Sequence, residues 1–181
     1  MEYTQARVDT LAYVGKKPGS RRDSNSWFTP PAYIELVRKV LGSIDLDPFS
    51  SPEANRVVGA TRYLSVSQSA FEHEWPARTV FMNPPYSSNL IGRASARFLN
   101  QWKKHRFTAI VLTNNSTETK WFQGLLCVAN AICFVNHRIS FWSSDGKATS
   151  GNTRGQVFFY FGSDVDQFRV VFGSIGKVVA L

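Results

Sequence analysis

Thr79-Val80-Phe81-Met82-Asn83-Pro84-Pro85-Tyr86 is an apolar run that stops at a polar corner. A short apolar stretch bounded by turn formers suits a buried strand. Similar runs at residues 44–46, 62–64, 109–112, 131–134, 157–161 and 168–172 also read as strands. Helical patterns fall between them. Thr29 is placed as an N-cap with Pro30 at the first helical position; Ile34, Val37 and Leu41 follow at helical spacing, and Gly42 supplies the stop. Residues 52–60 predict a short helix. Ile91, Ala94, Phe98 and Trp102 mark the inner face of a longer one, with Arg93, Arg97, Lys103 and Lys104 among its polar positions. Ser116 is expected to cap a helix carrying Phe122, Leu125 and Leu126. Strands alternating with helices predict an α/β three-layer sandwich around a mostly parallel sheet. The last two strands are expected to close the chain as an antiparallel hairpin.

The corner after Met82 matters because ligands in open α/β sheets bind beyond the carboxyl ends of the strands. Pro84 and Pro85 fix the backbone and remove two N–H donors, leaving carbonyl acceptors. Such a group suits one chemical task. An exocyclic amine is a poor nucleophile because its lone pair is delocalised into the ring. The Asn83 side-chain oxygen and the Pro84 carbonyl can accept its two N–H bonds and free the lone pair for attack on a methyl sulfonium. Acceptors already in place also stabilise the positive charge that develops on nitrogen. Tyr86 offers a ring on which a base can stack, and a base in duplex must first leave it. The same tetrapeptide also reads as a plain tight turn after a strand.

The chain has 181 residues, 43% hydrophobic and 19% charged, an ordinary globular balance. Residues 27–181 read as one domain. Residues 1–26 read as a basic arm, in which Lys16, Lys17, Arg21 and Arg22 lie among turn formers; a solvated tail and a phosphate-contacting arm both fit. No apolar run approaches the roughly 20 residues of a membrane span, and a cytoplasmic location is expected. Cys127 and Cys133 read as buried free thiols. The three histidines lack metal-site spacing, so no metal is expected. Twenty-one Lys and Arg against 13 Asp and Glu give a formal net charge of +8, which favours a polyanionic partner. Residues 143–155, rich in Ser, Gly, Asp, Asn and Thr, read as a long loop flanked by Lys147 and Arg154. Oligomeric state is not legible in the sequence.

Asn83-Pro84-Pro85-Tyr86 is similar to the catalytic signature of S-adenosylmethionine (SAM)-dependent amino-methyltransferases. Ile44-Asp45-Leu46-Asp47-Pro48-Phe49-Ser50-Ser51 resembles the strand-end segment that binds the methionine part of SAM. Trp27-Phe28-Thr29-Pro30-Pro31 resembles the Thr-Pro segment that precedes it. Together with Ala131-Ile132-Cys133-Phe134, Arg138-Ile139-Ser140-Phe141 and Val157-Phe158-Phe159-Tyr160-Phe161-Gly162, their order resembles the phage-type DNA N-6-adenine methyltransferase family. The resemblance runs from about Trp27 to about Gly173. It implies a Rossmann-like fold, SAM as cofactor, DNA as partner, a phage or prophage origin, and N6 of a flipped-out adenine as methyl acceptor. Asn83, Pro84, Pro85 and Tyr86 match the catalytic motif. Thr29, Pro30, Asp45, Asp47, Pro48, Phe49 and Ser50 match the cofactor segments. Arg138, Lys147 and Arg154, with Lys16, Lys17, Arg21 and Arg22 of the arm, are the expected DNA contacts; for Arg138 a surface salt bridge is the competing reading.

The chain departs from the pattern at three places. Ser50-Ser51-Pro52 stands where glycines are usual, and Arg62-Tyr63-Leu64-Ser65 lacks the acid that usually meets the SAM ribose. The acid usually found near Ser69-Ala70-Phe71 is also missing, with Glu72 and Glu74 the nearest substitutes. Two rival readings follow from these residues: methylation of RNA, guanine N2 or a glutamine amide by the same tetrapeptide, or a degenerate fold kept as a DNA-binding module.

Overall fold

A computed structural model describes residues 27–65, 70–142 and 152–181. Five helices and seven strands lie within them: α1 (Pro31–Leu41), β1 (Leu46–Asp47), α2 (Pro52–Val58), β2 (Arg62–Tyr63), β3 (Thr79–Met82), α3 (Ser88–His105), β4 (Thr108–Asn114), α4 (Lys120–Leu126), β5 (Ala131–Val135), β6 (Gln156–Phe161), α5 (Val165–Phe172) and β7 (Gly176–Ala180). The strands form one sheet in the order β2-β1-β3-β4-β6-β5-β7.

Strands β2, β1, β3 and β4 are parallel. Strand β6 runs antiparallel to both β4 and β5, and β7 antiparallel to β5. The sheet is therefore mixed, not mostly parallel as expected. Nor do the last two strands form a hairpin. Residues 168–172 lie in helix α5, and β7 follows it on the far side of β5. Burial explains the difference. A strand would bury alternate residues, yet Val170 is 80% exposed while Phe168 and Phe172, four apart, are buried. Asp164 caps this helix by accepting a hydrogen bond from Gln167 N at 2.9 Å.

Each face of the sheet has its own apolar core. Phe81, Ile110, Leu112, Phe158 and Tyr160 pack with Ile34 and Val37 of α1 and with Phe168 and Phe172 of α5. Their alternating neighbours Val80, Met82, Ala109, Val111, Val157, Phe159 and Phe161 pack with Phe98 of α3 and with Phe122 and Leu125 of α4. Three layers result, as expected. Burial on both faces is why the central strands read as unbroken apolar runs.

Two caps differ from expectation. Helix α4 is capped by Thr119, whose hydroxyl accepts from Phe122 N at 3.4 Å, rather than by Ser116. Pro30 occupies the cap position of α1, with no side-chain cap; the Thr29 hydroxyl is engaged elsewhere. Cys133 is buried, but Cys127, just past the end of α4, is exposed, and both are free. No helix among the described residues is long and apolar enough to cross a membrane.

Candidate active site

Strands β1, β3 and β4 end side by side. Leu46 is in register with Val80, and Met82 with Val111. Gln156, the first residue of antiparallel β6, pairs with Asn114 at the end of β4. One edge of the sheet therefore collects Asp47, Asn83, Asn114 and Gln156. The Trp27–Thr29 strap meets the same edge through Asn83, and Phe28 within it pairs with Trp142 through two 2.9 Å backbone hydrogen bonds.

Asn83 is held through its whole amide. Its Nδ2 donates to the Trp27 carbonyl at 3.0 Å and to Thr29 Oγ1 at 3.1 Å. A carbonyl oxygen can only accept, so the nitrogen must face the strap and Oδ1 must face away. Oδ1 accepts from the Tyr86 hydroxyl at 2.7 Å, which leaves one lone pair for another donor. Pro84 and Pro85 are buried. The Tyr86 hydroxyl also lies 3.3 Å from the Leu112 carbonyl, and its ring meets Phe141 edge-on at 6.2 Å. Burial pushes the Tyr86 phenol above its ordinary pKa, so it stays a donor at every working pH.

Asp47 ends β1 almost completely buried, at 2% exposure. Burial raises its pKa to about 7, only partly offset by the Phe49 N–H at 3.2 Å and by nearby Ser50. The Ser50 hydroxyl is itself buried and makes no hydrogen bond of normal geometry. A raised carboxyl beside a buried hydroxyl with no neighbour but that carboxyl to bond is an arrangement that a bound cation with N–H donors would complete. Pro48 is buried next to them. Phe49 leans on Phe71 at 5.4 Å and on Trp75 at 5.9 Å, and the Arg93 guanidinium sits over the Phe71 ring at 4.4 Å.

Asp45 is not part of this group. Its carboxylate pairs with Arg78 at 3.3 Å, at the amino end of β3. Partial desolvation raises its pKa, but the hydrogen bonds and charge of Arg78 win and hold it below the ordinary value. Glu74 is likewise committed elsewhere. It pairs with Lys104 at 2.7 Å and with His105 at 2.9 Å near the end of α3, which lowers its pKa to about 2. Glu72 is exposed.

Arg138 and Arg154 are exposed near the same sheet edge. The Arg138 guanidinium closes over Gly155: a Cβ there would lie 2.7 Å from Nη1 and 2.5 Å from Asn115 Nδ2. A side chain at 155 would displace both of these groups. Lys16, Lys17, Arg21, Arg22 and Lys147 lie outside the described residues.

Sequence reasoning missed Gln156. Its side chain is buried and spans from Asn114 Oδ1, which accepts from Nε2 at 3.1 Å, to Ile139 N, which donates to Oε1 at 3.3 Å. Asn152 Nδ2 donates to the Ile139 carbonyl at 3.1 Å. The available signal was one amide opening an otherwise apolar strand, Gln156-Val157-Phe158-Phe159-Tyr160-Phe161.

The family model of DNA N-6-adenine-methyltransferase (Dam) matches residues 16–177. A DNA N-6-adenine-methyltransferase of Haemophilus phage HP1 (strain HP1c1) is 28% identical over 151 residues, covering 81% of this chain and 83% of that protein.

Proposed function

The chain belongs to the DNA N-6-adenine-methyltransferase family, and from that premise we propose that it moves the methyl group of SAM to N6 of an adenine flipped out of duplex DNA, on a Rossmann-like sheet. The observation that carries this reading is the fixed Asn83 amide, with Oδ1 turned away from the strap.

Asp47 and Ser50 are the residues suited to the ammonium of SAM, and the sulfonium of SAM supplies the electrophilic methyl. The protein's own groups do the rest. Asn83 Oδ1 and the Pro84 carbonyl accept the two N–H bonds of N6 and turn its lone pair out of the ring. As the N–C bond forms and the S–C bond breaks, charge grows on N6 opposite acceptors that need no rearrangement. One N6 proton then passes to solvent water, leaving the neutral methylamine. The exposed Arg138 and Arg154 are the proposed contacts to phosphates flanking the base, and each such contact adds roughly 0.9 to the salt slope of binding.

The test is label transfer from methyl-tritiated SAM to unmethylated duplex DNA, RNA and protein, followed by nucleoside analysis. Label in N6-methyladenine of DNA is expected; label confined to RNA, protein or another base overturns the reading.

Tyr86 has two separable parts. Tyr86→Ala removes the stacking surface and is expected to lower kcat/KM for DNA about ten- to a hundredfold. Tyr86→Phe keeps the ring and removes the hydroxyl with its contacts to Asn83 and the Leu112 carbonyl; it is expected to stay within about fivefold of the parent. Steady-state kinetics on one duplex decides, and equal losses in both variants would contradict a stacking role.

A further inference from the structure

We propose that Thr29 is a positioning residue for methyl transfer, acting through Asn83 rather than on the cofactor. This rests on the reading of Asn83 given above.

The geometry is specific. Thr29 is 3% exposed, and its Oγ1 accepts one of the two Nδ2 hydrogens of Asn83 at 3.1 Å. The Trp27 carbonyl takes the other at 3.0 Å. The hydroxyl is not free to follow a moving partner. Phe28 is clamped to Trp142 by two backbone hydrogen bonds, and Pro30 begins the entry to α1 with no help from a side-chain cap. The threonine at this position therefore serves the asparagine, not the helix.

Two consequences follow for the reaction. With both Nδ2 hydrogens held, the amide cannot rotate, and Oδ1 stays aimed where an incoming amine must present its N–H. Drawing hydrogen-bond density onto Nδ2–H also polarises the amide and makes Oδ1 a stronger acceptor, as in any chain of linked hydrogen bonds. Both effects act on the acceptor amine and hence on the chemical step. Neither acts on cofactor affinity.

Thr29→Val keeps the shape and β-branching while removing the acceptor, and leaves a half-buried N–H unpaired. At saturating SAM and DNA, kcat is expected to fall about ten- to a hundredfold, with the dissociation constant for SAM within about threefold of the parent. Thr29→Ser restores the acceptor and is expected to restore kcat. Thr29→Ala gives the same reading if the valine variant does not fold, with thermal melts as the check. Unchanged kcat in Thr29→Val or Thr29→Ala overturns the proposal. So does a loss that appears only as weaker SAM binding and disappears at saturation, which would make Thr29 a cofactor contact. The two levels of argument separate cleanly. An active Asn83→Ala enzyme refutes the reading of the site, whereas an inactive Asn83→Ala enzyme beside a normal Thr29→Val enzyme refutes only this inference.

Discussion

Asn83→Ala is expected to cut the rate of methyl transfer to DNA by about a hundred- to a thousandfold, with SAM affinity little changed. The reason lies in which groups lose a partner. The side chain's oxygen is the acceptor aimed at the amine, so its removal leaves only the Pro84 carbonyl to draw charge from N6. Cofactor contacts are assigned one strand away, at Asp47 and Ser50, and none of Asn83's hydrogen bonds reaches them. The fold should survive. The Tyr86 hydroxyl keeps the Leu112 carbonyl within 3.3 Å, while the Trp27 carbonyl and Thr29 lose a donor, a cost of about 1–2 kcal/mol. The decisive measurement is single-turnover methylation at saturating SAM, run beside calorimetric SAM binding. A variant within fivefold of parental activity would remove Asn83 from the chemistry.

How far the sequence spoke depended on whether one period or two competed. Strand β3 and helix α3 were legible because apolar residues were bounded by turn formers, or repeated at helical spacing, with no rival pattern. Residues 168–172 were not. Phe168-Arg169-Val170-Val171-Phe172 is short, aromatic and β-branched, which favours a strand on propensity, and only the exposure of Val170 reveals the helical face. Sheet direction escaped for a different reason. A strand buried on both faces looks the same whichever way it runs, so β6 carried no mark of its reversal.

The site divides along similar lines. Asn83 and Asp47 were legible because strand-end polar residues stand out against apolar runs. The cap reading of Thr29 failed for want of long-range information. Ser, Thr, Asp and Asn before a helical pattern signal a cap, and nothing local says that the hydroxyl points 54 residues ahead to Asn83. Gln156 was overlooked because one amide in an aromatic strand is easily absorbed into the run. Asp45 shows the opposite error: it stands two residues from Asp47, yet its carboxylate turns to Arg78 at the other end of the strand pair.

Asp47→Asn is expected to make the free protein more stable and the cofactor complex weaker, and the pH dependence of both effects follows from one shifted group. Burial pushes the Asp47 carboxyl up from the ordinary 3.8 to about 7. The native state therefore holds its proton over a range where the unfolded chain has lost it. Native protein then binds more protons than unfolded protein, and stability falls as pH rises from about 4 to about 7. At pH 8 the ionised, buried carboxylate costs at most roughly 4 kcal/mol. Asparagine does not ionise, so the variant should melt higher than the parent at pH 8, with the difference shrinking as pH falls and vanishing near pH 4. Cofactor binding has the opposite sign. An ammonium placed against Asp47 requires the carboxylate, so below pH 7 each SAM bound should release close to one proton, and affinity should drop about tenfold per pH unit. In Asp47→Asn that slope disappears, and affinity at pH 8 falls by about a hundredfold or more, because a buried charge has lost its partner. Calorimetry at pH 6 in two buffers of different ionisation enthalpy measures the proton directly. If no proton is released and the asparagine variant binds SAM as the parent does, the carboxylate at the end of β1 is not the cofactor's anchor.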